Sequence, residues 1–347
     1  MLQADLKKHT FVFKIPGGTS RGVLHTKDSW YIRIWDNERP EVKGIGECSI
    51  IKGLSFDDRP DYENMLENIV RGINETGKVI FAGLEEYPSI FFGLETALTD
   101  LHTGGERILY PSEFTEGKAS IPINGLIWMG KPDFMWQQIE EKVNAGFNCI
   151  KLKIGAIDFE TELSILKKIR DQYGSDIELR VDANGAFTSD SVWHKLEELS
   201  KLDIHSIEQP VRAGQAELMQ EICRNSPVPV ALDEELIGVI DEEEKAELIE
   251  FIKPQYLILK PSLLGGFEMS EEWIEIAEEN GAGWWVTSAL EGNIGLNAIA
   301  QWTYELENPL PQGLGTGQVF RNNIKSPLTV KEGELWYDVN ENWEDPF

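Results

Sequence analysis

The sequence predicts a parallel β/α barrel preceded by a compact α+β unit, and three observations predict it. From about residue 118 onward, short β-rich runs alternate with amphipathic helical stretches through most of the chain. Those runs end in polar residues, and from Lys153 through Asp182, Glu208, Asp233 and Lys260 to Ser288 the gaps are 29, 26, 25, 27 and 28 residues. Each unit of a barrel contributes one strand end to a common rim, so near-constant spacing of this kind is a barrel active site laid out in one dimension. The third observation is size: 347 residues suit two domains, or one domain only if it is a large barrel.

The elements follow in order. In residues 1 to about 115, segments 11–15 and 29–35 have strand composition, with Pro16-Gly-Gly18 as a turn after the first. Segments 62–72 and 89–103 carry helical periodicity, and strands followed by helices make an α+β unit. Beyond it come seven expected strands at 121–129, 149–154, 178–182, 206–208, 228–233, 256–260 and 283–287. Helices are expected between them at 159–172, 191–202, 215–225, 241–251 and 268–279. This repeat is too regular for an open doubly wound sheet. The segment from about 318 to 347 contains Pro327-Leu-Thr-Val330 and Leu335-Trp-Tyr337, too aromatic for a disordered tail. It is expected to leave the barrel and pack back on the amino-terminal unit.

Composition excludes several classes of function. Hydrophobic residues are 41% and charged residues 27% of the chain, an ordinary globular balance that argues against disorder. Cys48, Cys149 and Cys223 are odd in number and have no Cys-x-x-Cys spacing, which excludes a disulfide framework and a zinc ribbon and fits a reducing cytoplasm. The amino terminus has no apolar core of a secretory signal, and no run of 18 apolar residues occurs, so a cytoplasmic protein is expected. With 32 basic against 60 acidic residues the net charge is −28, which repels nucleic acid and anionic membrane surfaces. An anionic substrate must therefore be met by local lysines and a metal.

Lys151-Leu-Lys153 lies within Cys149-Ile-Lys-Leu-Lys-Ile154, where period-two alternation puts both lysines on one face of the strand. Mutual repulsion and desolvation there are expected to lower a lysine toward neutrality, as a general base requires. Asp182, Glu208 and Asp233 end three consecutive strands. Three carboxylates converging on one rim call for a cation among them, and hard oxygen donors in that number suit Mg2+. Lys260 ends the sixth strand and is expected to face Lys153 across the barrel mouth, so that a substrate between them has one ammonium on each side.

This constellation resembles the enolase superfamily and, within it, the muconate lactonizing enzyme subgroup, in which lysines on the second and sixth strands flank the substrate. Superfamily sites that pair a lysine or histidine base with Mg2+ and an enediolate are well known. The resemblance spans nearly the whole chain. It implies a capping domain over residues 1–115, a (β/α)7β TIM-like barrel over 116–317, and a carboxyl-terminal segment, 318–347, that completes the cap. The mandelate racemase subgroup uses a histidine at the seventh strand, whereas this strand ends Val286-Thr-Ser288 and none of His9, His25, His102, His194 or His205 falls at a suitable rim position.

Three stretches resemble the o-succinylbenzoate synthase family of menaquinone biosynthesis. Gly18-Thr-Ser-Arg-Gly22 is similar to a mobile cap loop, which implies Arg21 near the substrate. Ser288-Ala-Leu-Glu-Gly-Asn-Ile-Gly295 resembles a segment whose hydroxyl and amides hold a substrate carboxylate, implicating Ser288 and Ala289. Gly313-Leu-Gly-Thr-Gly317, with Gly315, stands where dipeptide epimerases carry Asp-x-Asp for a substrate ammonium group. The resemblance implies that Lys153 removes and returns a proton in a syn dehydration of 2-succinyl-6-hydroxy-2,4-cyclohexadiene-1-carboxylate. Lys151, Lys260 and Mg2+, with Mn2+ as a substitute, would stabilise the enediolate. Asn184 would orient a ligand or a metal-bound water, and Glu47 would serve the cap structurally. An N-acylamino acid racemase, a dipeptide epimerase or a cycloisomerase would use the same lysines and metal. A ligand-binding barrel without turnover would not need two opposed lysines.

Overall fold

The computed structural model describes residues 1–19 and 22–347. The chain opens with three long antiparallel strands, β1 (Leu2–Thr19), β2 (Gly22–Asp36) and β3 (Arg39–Ser49), paired in the order β1-β2-β3. Two helices, α1 (Tyr62–Thr76) and α2 (Pro88–His102), cover one face of this sheet. Ile32, Ile34, Leu66, Ile90 and Leu94 form the core between the two layers. Contact between α2 and β3 is so close that an added Cβ on Gly46 would run into the carbonyl oxygen of Gly93, and one on Gly44 into that of Ala97.

This sheet is more extensive than the sequence predicts. Pro16-Gly-Gly18 is not a turn after the first strand but part of β1, where the pairing with β2 shifts register between Val12 and Gly17. Proline lacks the amide a ladder needs and glycine tolerates the distortion, so a turn signal and a bulge signal look alike in sequence. The predicted strand at 121–129 is two strands, β4 (Ser120–Pro122) and β5 (Gly125–Ile127), in different sheets.

From β5 the chain runs α3 (Pro132–Asn144), β6 (Cys149–Lys153), α4 (Phe159–Tyr173), β7 (Glu178–Asp182), α5 (Val192–Ser200), β8 (Ile204–Glu208) and α6 (Ala216–Asn225). It continues through β9 (Val230–Leu232), α7 (Glu242–Ile252), β10 (Tyr256–Leu259), the short α8 (Pro261–Leu264), α9 (Gly266–Glu279), β11 (Gly283–Val286) and α10 (Asn293–Glu305). Strands β5 to β11 form one parallel sheet in sequence order. The eighth position is held by two residues rather than a full strand. Gln312 bridges Ile123 and Gly313 bridges Thr287, both in parallel sense, and this closes the ring.

Alternation along the strands sorts the side chains. Ile150 and Leu152 on β6, Leu179 and Val181 on β7, Val230 and Leu232 on β9, and Leu257 and Leu259 on β10 point outward into the core beneath the helices. The residues between them point inward. At the amino end of the barrel Arg180 stacks on Trp285 with 4.1 Å between guanidinium and ring, beside Ile258 and Ala231. At the carboxyl end the inward positions are ionisable.

The last segment does two things. Lys14 N donates to Val319 O and Arg321 N to Val12 O, both at 2.8 Å, and Phe320 stacks on Phe11, so this stretch runs along the cap. The hairpin β12 (Leu328–Lys331) and β13 (Glu334–Tyr337) then pairs through β13 with β4 beside the barrel.

The glycines make a paired test. Gly46→Ala should cost about 3 kcal/mol or more in chemical denaturation, because backbone meets backbone and no side chain can move aside. Gly72 lies within α1 with open space around its Cα. Gly72→Ala should stabilise by roughly 0.5–1 kcal/mol.

Candidate active site at the carboxyl end of the barrel

Strand register brings the ionisable residues to one height. Lys153 pairs with Asp182 and Asp182 with Glu208 as direct Cα partners across β6, β7 and β8. Asp233 and Lys260 each follow the last residue of their strands, β9 and β10. Asp182, Glu208 and Asp233 are at most 2% exposed and Lys151 is 5% exposed.

The contacts alternate in sign along the rim. Lys153 Nζ lies 2.8 Å from Asp182 Oδ2, which lies 3.2 Å from Lys151 Nζ. Lys151 Nζ lies 2.5 Å from Glu208 Oε2, and Glu208 Oε1 lies 3.6 Å from Lys260 Nζ. Lys260 donates in turn to Asp233. Three ammonium groups thus neutralise three carboxylates.

For Lys151 this runs against the expected lowering of a paired lysine. Burial does disfavour the charge on Lys151, but Glu208 and Asp182 outweigh it and hold its pKa above the usual lysine value. Lys260 is raised in the same way, burial being overcome by Asp233 and Glu208. Asp182, despite its burial, is held below the ordinary carboxylate range by Lys153 and Lys151. Glu208 is pushed up, by burial first and then by the charge of Asp182.

The donor set fits a hard divalent cation. Three carboxylates from adjacent strand ends supply only oxygen, and Glu208 Oε1 is buried without a hydrogen-bond partner. Among the described residues no three metal-binding side chains are gathered around one point, because each carboxylate here is turned toward an ammonium group. Holding a cation requires the lysines to swing off the carboxylates.

Asn184 adopts a positive φ of 44° just after β7, which turns its amide back toward the rim. It accepts from Lys153 Nζ at 2.7 Å and donates to Glu234 Oε1 at 3.0 Å, while its backbone N donates to Asp182 Oδ1 at 3.0 Å. It therefore aims the Lys153 amine. Arg21 lies outside the described residues.

A cavity of about 190 Å3 opens above these charges. Lys151, Lys153, Asp182, Asn184 and Lys260 line its barrel side, and Ser288, Ala289 and Gly315 line it as well. The Ser288 and Thr316 hydroxyls hydrogen-bond each other, and Ser288 Oγ accepts from Leu290 N at 3.2 Å. Val23, Leu24, Ile51 and Leu54 cover the cavity from the cap. Trp128, Lys52 and Thr316 also line it and were not singled out from sequence. Of these Thr316 and Trp128 fall in segments whose pattern drew notice, and Lys52 sits in a loop with no periodicity to mark it. Glu47, on the strand β3 that sequence reasoning missed, is wholly buried and accepts from Ser29 Oγ, Gly292 N and Gly295 N at 2.9, 2.7 and 3.0 Å. It ties the cap to the start of α10.

A sequence model of the family described as enolase C-terminal domain-like matches residues 135–339. The chain is 43% identical to the o-succinylbenzoate synthase of Desulfotalea psychrophila, over 96% of this chain and 98% of that one. It superposes on the crystal structure of MenC from that organism with a TM-score of 0.85 and 39% identity, over 96% of this chain and 99% of the other. A dipeptide epimerase from Enterococcus faecalis, solved with Mg and the dipeptide L-Leu-L-Tyr, shares the fold at a TM-score of 0.79 and 20% identity, over 96% of each chain. With its family model, near-full-length identity and barrel in agreement, the chain belongs to the enolase superfamily, in its o-succinylbenzoate synthase family.

Proposed function

We propose that the protein catalyses the syn dehydration of 2-succinyl-6-hydroxy-2,4-cyclohexadiene-1-carboxylate to o-succinylbenzoate, a step of menaquinone biosynthesis, with Mg2+ as cofactor and Mn2+ as a substitute. The observation that carries this reading is the rim, where three lysines alternate with three buried carboxylates at the strand ends. Near-full-length identity to a named synthase supports the substrate. Asp182, Glu208 and Asp233 would hold the metal, which when bound supplies positive charge to a substrate carboxylate.

The chain's own residues do the rest. Lys153, aimed by Asn184, first releases the proton of the ammonium form that pairs with Asp182 to solvent, and then takes the proton α to the ring carboxylate as the neutral amine. Lys151 and Lys260 oppose the negative charge that develops on that carboxylate in the enediolate. The C–O bond to the ring hydroxyl then breaks, and Lys153 returns its proton to the departing hydroxide on the same face. Water leaves and the ring becomes aromatic. Ser288 and the amides of Ala289 and Gly315 are assigned to the succinyl carboxylate, and Arg21 to the cap side of the substrate. The partner is a small dicarboxylate rather than a nucleic acid, in keeping with a net charge of −28. Among the described residues no helix is long and apolar enough to cross a membrane, and we place the enzyme in the cytoplasm.

A chelator should abolish loss of the diene absorbance, and Mg2+ or Mn2+ should restore it. Asp182→Ala, Glu208→Ala and Asp233→Ala should each lower turnover by about 1,000-fold or more, since several kcal/mol of charge stabilisation are removed. Full activity in metal-stripped protein would remove the metal from the scheme.

Lys153→Ala should cut dehydration by about 100- to 10,000-fold through loss of the proton acceptor. Lys260→Ala should cost about 100- to 1,000-fold, as expected for removing one electrostatic partner. Solvent deuterium exchange at the α-carbon of an N-succinyl amino acid checks the roles, and exchange kept by Lys153→Ala but lost by Lys260→Ala would reverse them. Racemisation of that compound faster than dehydration of the cyclohexadiene would favour a racemase instead.

A further inference from the structure

The proposed substrate brings two negative charges into the cavity, and the cations of the barrel all stand on one side of it. Lys151, Lys153 and Lys260 contact Asp182, Glu208 or Asp233, so the positive charge that Mg2+ would add there lies with the reacting carboxylate. The donors assigned to the second carboxylate are neutral. One of the two hydroxyl protons on Ser288 and Thr316 is consumed in their mutual hydrogen bond, and Ser288 N already donates to Gly313 O. Neutral donors orient the second carboxylate but bring no charge of their own to it, in a chain of net charge −28.

Among the described residues that line the cavity, one other cation remains. Lys52 stands on the cap loop just beyond β3, between Ile51 and Leu54, which also line the cavity. It is exposed, and it makes no hydrogen bond or ion pair with any described residue. A lysine with a flexible four-carbon stem and an uncommitted ammonium group can reach a carboxylate entering from the cap side. Its position on the cap, opposite the barrel lysines, separates it from the groups that handle the reacting carboxylate.

Resting on the dehydration reading above, we propose that Lys52 is the counter-ion of the substrate's second carboxylate, the one remote from the reacting carbon, and that it selects dicarboxylates over compounds with an uncharged tail. Lys52 takes no part in proton transfer. It contributes a charge-assisted hydrogen bond at a half-open position, where solvent and salt weaken but do not abolish the attraction.

The test uses Mg2+-loaded full-length protein and two probes, o-succinylbenzoate and its methyl ester at the succinyl end, which keeps the ring carboxylate and loses the remote charge. Calorimetry on the wild type, Lys52→Met and Lys52→Arg reads the affinities in low and moderate salt. The wild type should prefer the dianion, and Lys52→Met should bind it roughly 10- to 100-fold more weakly while binding the ester as before. Lys52→Arg should recover most of the preference, and the loss in Lys52→Met should shrink as salt rises. In turnover the Lys52→Met defect should sit in KM. A dianion-to-ester ratio unchanged by Lys52→Met, or an equal loss for both probes, would overturn the assignment. The dehydration reading is judged separately, by whether the wild type converts the cyclohexadiene at all.

Discussion

Six charged side chains packed within contact of one another, four of them buried and two half-buried, can be tolerated only if each has an opposite neighbour, and the strand ends of this barrel are arranged so that each does. A lone buried ion carries a desolvation penalty of several kcal/mol, and truncating one partner of a buried pair leaves the other uncompensated. The sequence of contacts from Lys153 to Asp233 leaves no charge at the end of a gap. That requirement limits the barrel itself. A slip of one residue in any strand would exchange its inward and outward faces, sending Leu or Val to the rim and a carboxylate into the apolar layer beneath the helices. The near-constant spacing along the chain is therefore a consequence of charge balance as much as of barrel geometry.

Carboxylates also fasten the cap to the barrel. Glu47 meets the amides at the start of α10, and Glu95 on α2 meets those of Phe267 and Glu268 at the start of α9, at 2.7 and 3.3 Å. The first amides of a helix have no partner within it, so an acceptor from another domain both satisfies them and fixes the angle of approach. Burial pushes Glu95 up to about 7. With the cap seated in this way, the start of β2 and the loop after β3 lie over the cavity as walls. The cavity is thus walled on one side by the cap and on the other by the ionisable strand ends of the barrel.

Much of this arrangement was legible before the structure, and the parts that were not share a physical reason. The barrel strands and the inward lysines and carboxylates declare themselves through alternation, which is a local property of the chain. Strand β3 escaped notice because glycines at positions 44 and 46 break the apolar pattern, yet those glycines are what allow α2 to approach. The division of 121–129 between two sheets depends on a carboxyl-terminal hairpin some two hundred residues away. The sign of the effect on Lys151 was misjudged for a related reason. Its neighbour in sequence is another lysine, whereas the groups that govern it, Glu208 and Asp182, come from other strands.

The ring is closed by Gln312 and Gly313 alone. Gly313 N donates to Val286 O and Gln312 N to Pro122 O, and the Gln312 side chain accepts from Val286 N at 2.7 Å. The seven strands β5 to β11 can pair as an open parallel sheet, but the seam needs residues that follow all seven in sequence. The strand that opens the protein does as well, since β1 takes part of its pairing from residues 319–321. Segments some three hundred residues apart must thus find each other, and until the seam forms the rim charges stand on an unclosed sheet, exposed to water.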